Sequence, residues 1–271
     1  IENGELVVLS DKGYEIRRLV DGNLISREPE AIDWKPNMVE KQPYPHFMLK
    51  EIYEQPFTLR NTLRLQDQYL DLMTEFLDRA REIFLVAAGT SHHACLAAAY
   101  MFSKLASLAT HPVIASEFIE QCGSSVNIDS TILFVSQSGE TSDVLAALEN
   151  ARLRAATALG LTNVIGSTLT RISRVYLCQQ SGPEIGVAAT KTFTSQVSVL
   201  AQLALRLGKR RGKVSHKEIE FLEDKLNQIP DVATKVLETH EEKIRQLAKK
   251  YRDSECFLYL GRGISSATAL E

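Results

Sequence analysis

Six consecutive residues concentrate polar chemistry in this chain: Ser136-Gln137-Ser138-Gly139-Glu140-Thr141. Their hydroxyls and the side-chain amide are neutral hydrogen-bond donors, and the glycine lets a ligand come close to the backbone. The preceding run, Thr131-Ile132-Leu133-Phe134-Val135, reads as a buried strand. Beyond the loop, Val144, Leu145, Ala147 and Leu148 recur at helical spacing. The loop therefore falls where a strand ends and a helix begins. Unpaired N–H groups and a partial positive charge at a helix start suit an anion such as phosphate. No lysine follows the glycine, which excludes a G-x-x-x-x-G-K-[ST] nucleotide loop. The plainer alternative is a polar turn whose Ser and Thr only cap the helix.

The elements around the loop alternate. Ile83–Ala87 reads as a strand, Ala88-Gly89-Thr90-Ser91 as a turn, and a helix is expected to about Leu108. Val113–Ala115, Thr131–Val135, Ala158–Leu161 and Val175–Cys178 read as further strands, with helices to about Arg154, near Ser167, and from after Gly186 to about Leu207. This alternation predicts an α/β fold: a three-layer, doubly wound, five-stranded parallel sheet. With the flavodoxin-like strand order 2-1-3-4-5, the switch point lies between the first and third strands. The two Gly/Ser/Thr loops then flank the crevice where such sheets bind ligands.

The flanks differ. Leu6–Leu9, Tyr14–Ile16 and Leu24–Ile25, separated by Asp11-Lys12-Gly13 and Asp21-Gly22-Asn23, read as a short β-meander too poor in apolar residues for a core of its own. Trp34 to Pro56 reads as a proline-rich connector with a short helix, Lys50–Gln55, stopped by Pro56. An amphipathic helix is expected over Leu63–Ala80. Two more are expected near the other end, Lys217–Asn227 and Val232–Tyr251. Glu255-Cys256-Phe257-Leu258 then repeats Glu82-Ile83-Phe84-Leu85 at three of four positions and runs into Gly261-Arg262-Gly263, so a second copy of the architecture is expected to begin there with a strand.

Composition narrows the function. The 271 residues are 44% hydrophobic and 24% charged with a net charge of −3, ordinary for a globular protein and no invitation to nucleic acid or an acidic membrane surface. The basic run Lys209-Arg210-Arg211-Gly212-Lys213 fits a helix C-terminus better than a nucleic-acid contact. No apolar run reaches the length of a membrane span, and nothing at the start resembles a signal peptide. The four cysteines lack C-x-x-C spacing; three lie in apolar surroundings and read as reduced thiols of a cytoplasmic protein. His92 and Cys95, three apart, lack the further ligands a metal site needs, so no metal and no cofactor is expected. Glu140 reads as favouring its own helix start, and Lys191 as either assisting an anion or pairing with Glu184.

Five stretches carry a family resemblance: Lys50-Glu51-Ile52-Tyr53-Glu54-Gln55-Pro56; Ala88–Ser91; Ser136–Thr141; Glu184-Ile185-Gly186-Val187-Ala188-Ala189-Thr190-Lys191; and Leu260–Gly263 through Ala269-Leu270-Glu271. Together they resemble the middle of the glutamine–fructose-6-phosphate aminotransferases, within the sugar isomerase (SIS) superfamily. The resemblance implies a parent enzyme with a glutaminase domain and two SIS domains, making glucosamine 6-phosphate from fructose 6-phosphate. It implies that residues 1–35 are the last strands of the glutaminase (Ntn-type) domain and 36–56 a linker. Residues 57–230 would be the first SIS domain, and 231–271 a connecting helix with the first strand and helix of the second. It further implies that Ser91, Ser136, Gln137, Ser138 and Thr141 hold a sugar phosphate, and that Ala88, Gly89, Thr90, Val187 and Ala189 border the sugar. Ala189 stands where relatives often have serine, and Ala88 where some have cysteine. No catalytic residue is expected in this stretch, because the family's Lys and Glu would lie beyond Glu271 on the same helix. The implied partner is a small sugar phosphate, with a cytoplasmic homodimer for the full-length enzyme. The alternatives are a stand-alone SIS phosphosugar isomerase and a non-enzymatic sugar-phosphate sensor.

Overall fold

The computed structural model describes residues 1–2, 4–28 and 40–271, so the expectations for Trp34 and Pro36 lie outside the described residues. The chain forms two compact units, Ile1–Met38 and Val39–Glu271.

The first unit holds an antiparallel sheet of β1 (Glu5–Ser10), β2 (Gly13–Arg18) and β3 (Leu24–Ile25) in the order β1-β2-β3. Ser10 pairs with Gly13, leaving Asp11 and Lys12 as a two-residue hairpin turn. Within this sheet only Ile16 is buried, while Leu6, Val8, Leu9 and Leu24 are exposed, as the sparse apolar pattern implied.

The second unit opens with α1 (Phe47–Thr62) and α2 (Asp67–Arg79). The alternating region follows: β4 (Glu82–Ala87), α3 (Thr90–Ala106), β5 (His111–Ile114), α4 (Phe118–Cys122), β6 (Ser130–Ser136), α5 (Ser142–Leu153), β7 (Thr157–Thr162), α6 (Thr168–Ile172), β8 (Val175–Cys178) and α7 (Lys191–Arg210). The strands are parallel in the order β5-β4-β6-β7-β8, which is the predicted 2-1-3-4-5. Alternate residues of each strand serve opposite faces. Ile83, Leu85, Leu133, Val135 and Leu159 pack with α2, α3 and α7; Phe84, Val86, Ile132 and Phe134 pack with α4 and α5. Burial on both faces explains why these strands read as continuous apolar runs rather than alternating ones. The short α4 carried no predicted periodicity; its Phe118 fills a pocket under Phe84 and Phe134.

Two predicted helix breaks are absent. Pro56 lies inside α1 rather than ending it. The carbonyl freed by its missing N–H, that of Ile52, accepts Gln55 Nε2 at 3.3 Å. Likewise α8 (His216–Tyr251) runs as one helix through Pro230. Proline's φ is already helical, and the adjoining residue is tied down by an ion pair from Arg60 Nη2 to Asp231 Oδ1 at 2.8 Å. The basic run ends α7 as expected: Arg210 and Arg211 pair with Asp78, and Gly212 turns the chain at φ 61°.

The predicted strand at 255–258 does not form. Residues 255–260 are irregular, with Phe257, Leu258, Tyr259 and Leu260 exposed, before the short helix α9 (Ile264–Leu270). A strand is completed by a neighbour's backbone, and among the described residues none pairs with this one.

Candidate functional site

β4 and β6 are adjacent, and the loops leaving their carboxyl ends meet in a cavity of about 300 Å³. Ala88, Gly89, Thr90 and Ser91 line it from one loop; Gln137, Ser138 and Thr141 from the other; Glu184, Gly186, Val187, Ala189, Thr192 and Gln196 close it. The topology thus brings together nine of the ten residues singled out in the sequence. The tenth, Ser136, is buried and is not among the lining residues. Its Oγ accepts the Gly139 N–H at 3.0 Å and lies 3.0 Å from Thr141 Oγ1, so it shapes the loop from beneath.

The loop has two sides. Two of its carbonyls are bonded to neighbouring backbone: Gln137 O accepts Asn163 N–H at 3.0 Å, just past β7, and Gly139 O accepts Leu169 N–H at 3.1 Å, in α6. Gly139 adopts φ 68°, and a Cβ there would meet Ser167 Oγ at 2.2 Å, so only glycine fits. With those two acceptors bonded elsewhere, Ser138 and Thr141 line the cavity at the start of α5. Thr141 is the N-cap residue of α5, yet its side chain makes no cap bond. That observation counts against a turn that merely caps its helix. Glu140 does not serve its own helix either: its Oε1 accepts Thr168 N–H at 2.6 Å, at the start of α6.

Opposite, Ser91 is fixed by Gln196 of α7, whose Nε2 donates to Ser91 Oγ at 3.0 Å. Receiving that bond, the hydroxyl keeps its own proton for a ligand. Gln196 is buried, and as a lone amide in a helix it gave no signal in the sequence. Thr90 Oγ1 donates to Glu271 Oε1 at 2.7 Å, and His93 Nδ1 lies 2.7 Å from Glu271 Oε2. These contacts seat α9 against α3. His92, beside Ser91, is pushed below its ordinary value by burial and then by His93, so it stands neutral near pH 7.

Among the described residues no Lys or Arg lines the cavity. Lys191 takes neither predicted role; it is buried, and its Nζ pairs with Glu54 Oε2 at 2.6 Å. Glu184 is satisfied within its own loop, accepting Thr190 N–H at 2.9 Å and the Thr192 hydroxyl. The site would hold an anion with hydroxyls, amides and helix starts rather than with a cation. Among the described residues no three His, Cys, Asp or Glu side chains group as metal ligands, and no helix is long and apolar enough to cross a membrane.

A parallel 2-1-3-4-5 sheet with two hydroxyl loops at its switch point is the arrangement of a SIS domain, and residues 76–206 match the SIS domain family. Along its whole length the chain is 39% identical to the glutamine–fructose-6-phosphate aminotransferase of Thermococcus kodakarensis, covering 45% of that protein, and 40% identical to that of Methanothermobacter thermautotrophicus, covering 43%. The C-terminal domain of the aminotransferase from Francisella tularensis superposes with a TM-score of 0.78 at 33% identity, over 85% of this chain and 66% of that one. Over its whole length the chain is thus similar to a partial region of the glutamine–fructose-6-phosphate aminotransferases, and it spans about half the length of the curated relatives it matches.

Proposed function

We propose that the cavity binds the phosphate of a hexose 6-phosphate, and that this chain is the sugar-phosphate-binding, isomerase-domain part of an enzyme converting fructose 6-phosphate and glutamine to glucosamine 6-phosphate and glutamate. One observation carries the reading: Ser138, Thr141 and Ser91 converge on one cavity from two loops, with the Gln137 and Gly139 carbonyls bonded elsewhere. Ser91, Gln137, Ser138 and Thr141 hold the phosphate, with Ser136 keeping the loop in shape. Ala88, Gly89, Thr90, Val187 and Ala189 border the sugar.

The same reading takes residues 1–35 as the final strands of a glutaminase domain and 36–56 as the connector. It takes 57–230 as the first SIS domain and 231–271 as the beginning of the second. It also takes the full-length enzyme to be a cytoplasmic homodimer. Calorimetric titration tests the site. Ser138→Ala removes one donor to a charged group, worth about 1.5–3 kcal/mol, so fructose 6-phosphate should bind roughly tenfold to a hundredfold more weakly. Equal affinity of the unaltered chain for fructose and fructose 6-phosphate would overturn the reading.

A further inference from the structure

The stretch Lys50–Pro56 lines no part of the cavity, yet its Glu51 bonds the backbone of Gly186, which does. Glu51 is buried at 2% exposure, where a carboxylate is costly unless its oxygens are satisfied. Its Oε1 accepts the backbone N–H of Ile185 at 2.6 Å and of Gly186 at 3.1 Å, and Oε2 lies 3.2 Å from the Gly186 nitrogen. One turn along α1, Glu54 pairs with Lys191 at 2.6 Å. Two acids of α1 therefore grip both ends of the segment 185–191. Gly186 does not adopt a positive φ, so no turn requires a glycine there. A Cβ at Gly186 would instead stand 2.5 Å from Glu51 Oε2, so the glycine makes room for the carboxylate. Between the two grips lie Val187 and Ala189, which face the cavity across from the hydroxyl loops.

We propose that Glu51 is a positioning residue: its carboxylate, bonded to the Ile185 and Gly186 amides, fixes the Val187–Ala189 wall against which the body of a phosphorylated ligand rests. This rests on the phosphate-site reading above. Charge-assisted bonds to two adjacent amides hold backbone more firmly than neutral ones. The wall contacts the sugar and the hydroxyl loops contact the phosphate, so loss of Glu51 separates the two parts of recognition.

The test titrates the chain and its Glu51→Ala, Glu51→Gln and Gly186→Ala variants with fructose 6-phosphate and with inorganic phosphate, and follows amide exchange of residues 185 and 186 by NMR. Glu51→Ala is expected to weaken fructose 6-phosphate about tenfold, the scale of one lost bond to a charged group, with inorganic phosphate unchanged and both amides exchanging faster. Glu51→Gln keeps an acceptor oxygen and should restore most of the affinity and protection. Gly186→Ala should weaken fructose 6-phosphate when Glu51 is present and add nothing in the Glu51→Ala background, which keeps the test decisive if one variant folds poorly. Equal weakening of both ligands, or unchanged amide exchange in Glu51→Ala, would overturn the proposal. An unaltered chain that binds neither ligand overturns the phosphate-site reading and the wall's sugar-facing role with it, while the exchange measurement still decides whether Glu51 holds the loop.

Discussion

Glu82-Ile83-Phe84-Leu85 and Glu255-Cys256-Phe257-Leu258 differ at one position in four and end in opposite structural states. The first is the start of β4, paired on both sides, with Phe84 3% exposed. The second is irregular, with Phe257 56% exposed. The glycines that follow them behave alike. Gly89 starts α3 at φ 54°, ψ −134°, and Gly263 starts α9 at φ 61°, ψ −138°. A turn and a helix start are satisfied by bonds within a few residues, so a glycine at the same place makes them in both. A strand leaves its N–H and C=O groups to be satisfied by another strand, and among the described residues only the first stretch has such neighbours. The contrast separates what a short sequence decides from what the surrounding fold decides.

A matched pair of truncations sharpens the contrast most. Phe84 packs edge-on against Phe118, ring centroids 6.0 Å apart, in the layer shared with Phe134. Phe84→Ala is expected to cost about 3–5 kcal/mol, transfer plus cavity. Phe257→Ala removes a side chain with one edge contact, to Tyr251 at 6.5 Å, and should stay within about 0.5 kcal/mol. Urea unfolding of the two variants measures both. Equal losses would show that 255–258 is packed in solution as β4 is.

The same division accounts for what the sequence revealed and what it did not. The five strands were legible because each is an apolar run, whereas their order entered only as the assumed flavodoxin-like pattern, which the structure then showed. The hydroxyl loops were legible because local spacing places them at strand ends. The path of α1 through Pro56 was not, because the rule that proline stops a helix ignores a side chain such as Gln55 that takes up the freed carbonyl. The path of α8 through Pro230 was hidden for a similar reason, since the pairing of Arg60 with Asp231 spans distant parts of the chain. Gln196 and Glu51 were invisible as contributors because a single polar residue in a helix has no periodicity; only the folded chain brings them to Ser91 and Gly186. Lys191 was assigned to Glu184 or to an anion because those groups are near in sequence or in motif, whereas its partner Glu54 comes from another helix.

A smaller effect tests whether the two glycine turns are equivalent. A Cβ at Gly89 or Gly263 meets no atom within 4 Å, so alanine there costs only backbone strain. That strain is about 1–3 kcal/mol at a conformation disfavoured for side-chain residues. Gly89→Ala strains the junction of β4 and α3 in the core unit and should lower the melting temperature by about 2–4 °C per kcal/mol. Gly263→Ala strains only the seat of α9, so the global melt should hold while amides of 264–270 exchange faster. A fall in melting temperature as large for Gly263→Ala as for Gly89→Ala would mean that α9 unfolds with the sheet and that its turn is no longer a local matter.

The last test perturbs nothing and reads the contrast directly. Cys256 occupies the position equivalent to Ile83, which is 1% exposed inside β4. At 256 the thiol is exposed, consistent with an unpaired stretch. Cys95, by contrast, is fully buried in the layer between the sheet and α3, and burial pushes its thiol well above the ordinary range. Thiolate is the reactive form, so Cys95 is doubly protected: little of it ionises and no reagent reaches it. With a thiol-specific reagent under native conditions, Cys256 should react at close to the rate of a small free thiol, and Cys95 only after denaturant is added. Mass spectrometry of a digest assigns each modification. If Cys256 is as slow as Cys95, the segment 255–258 is covered in solution by a neighbour, and the two near-identical stretches differ in partner rather than in state. If Cys95 reacts readily in the native protein, the layer holding β4 opens on the labelling timescale, and the burial that distinguishes Phe84 from Phe257 is less secure than the packing implies.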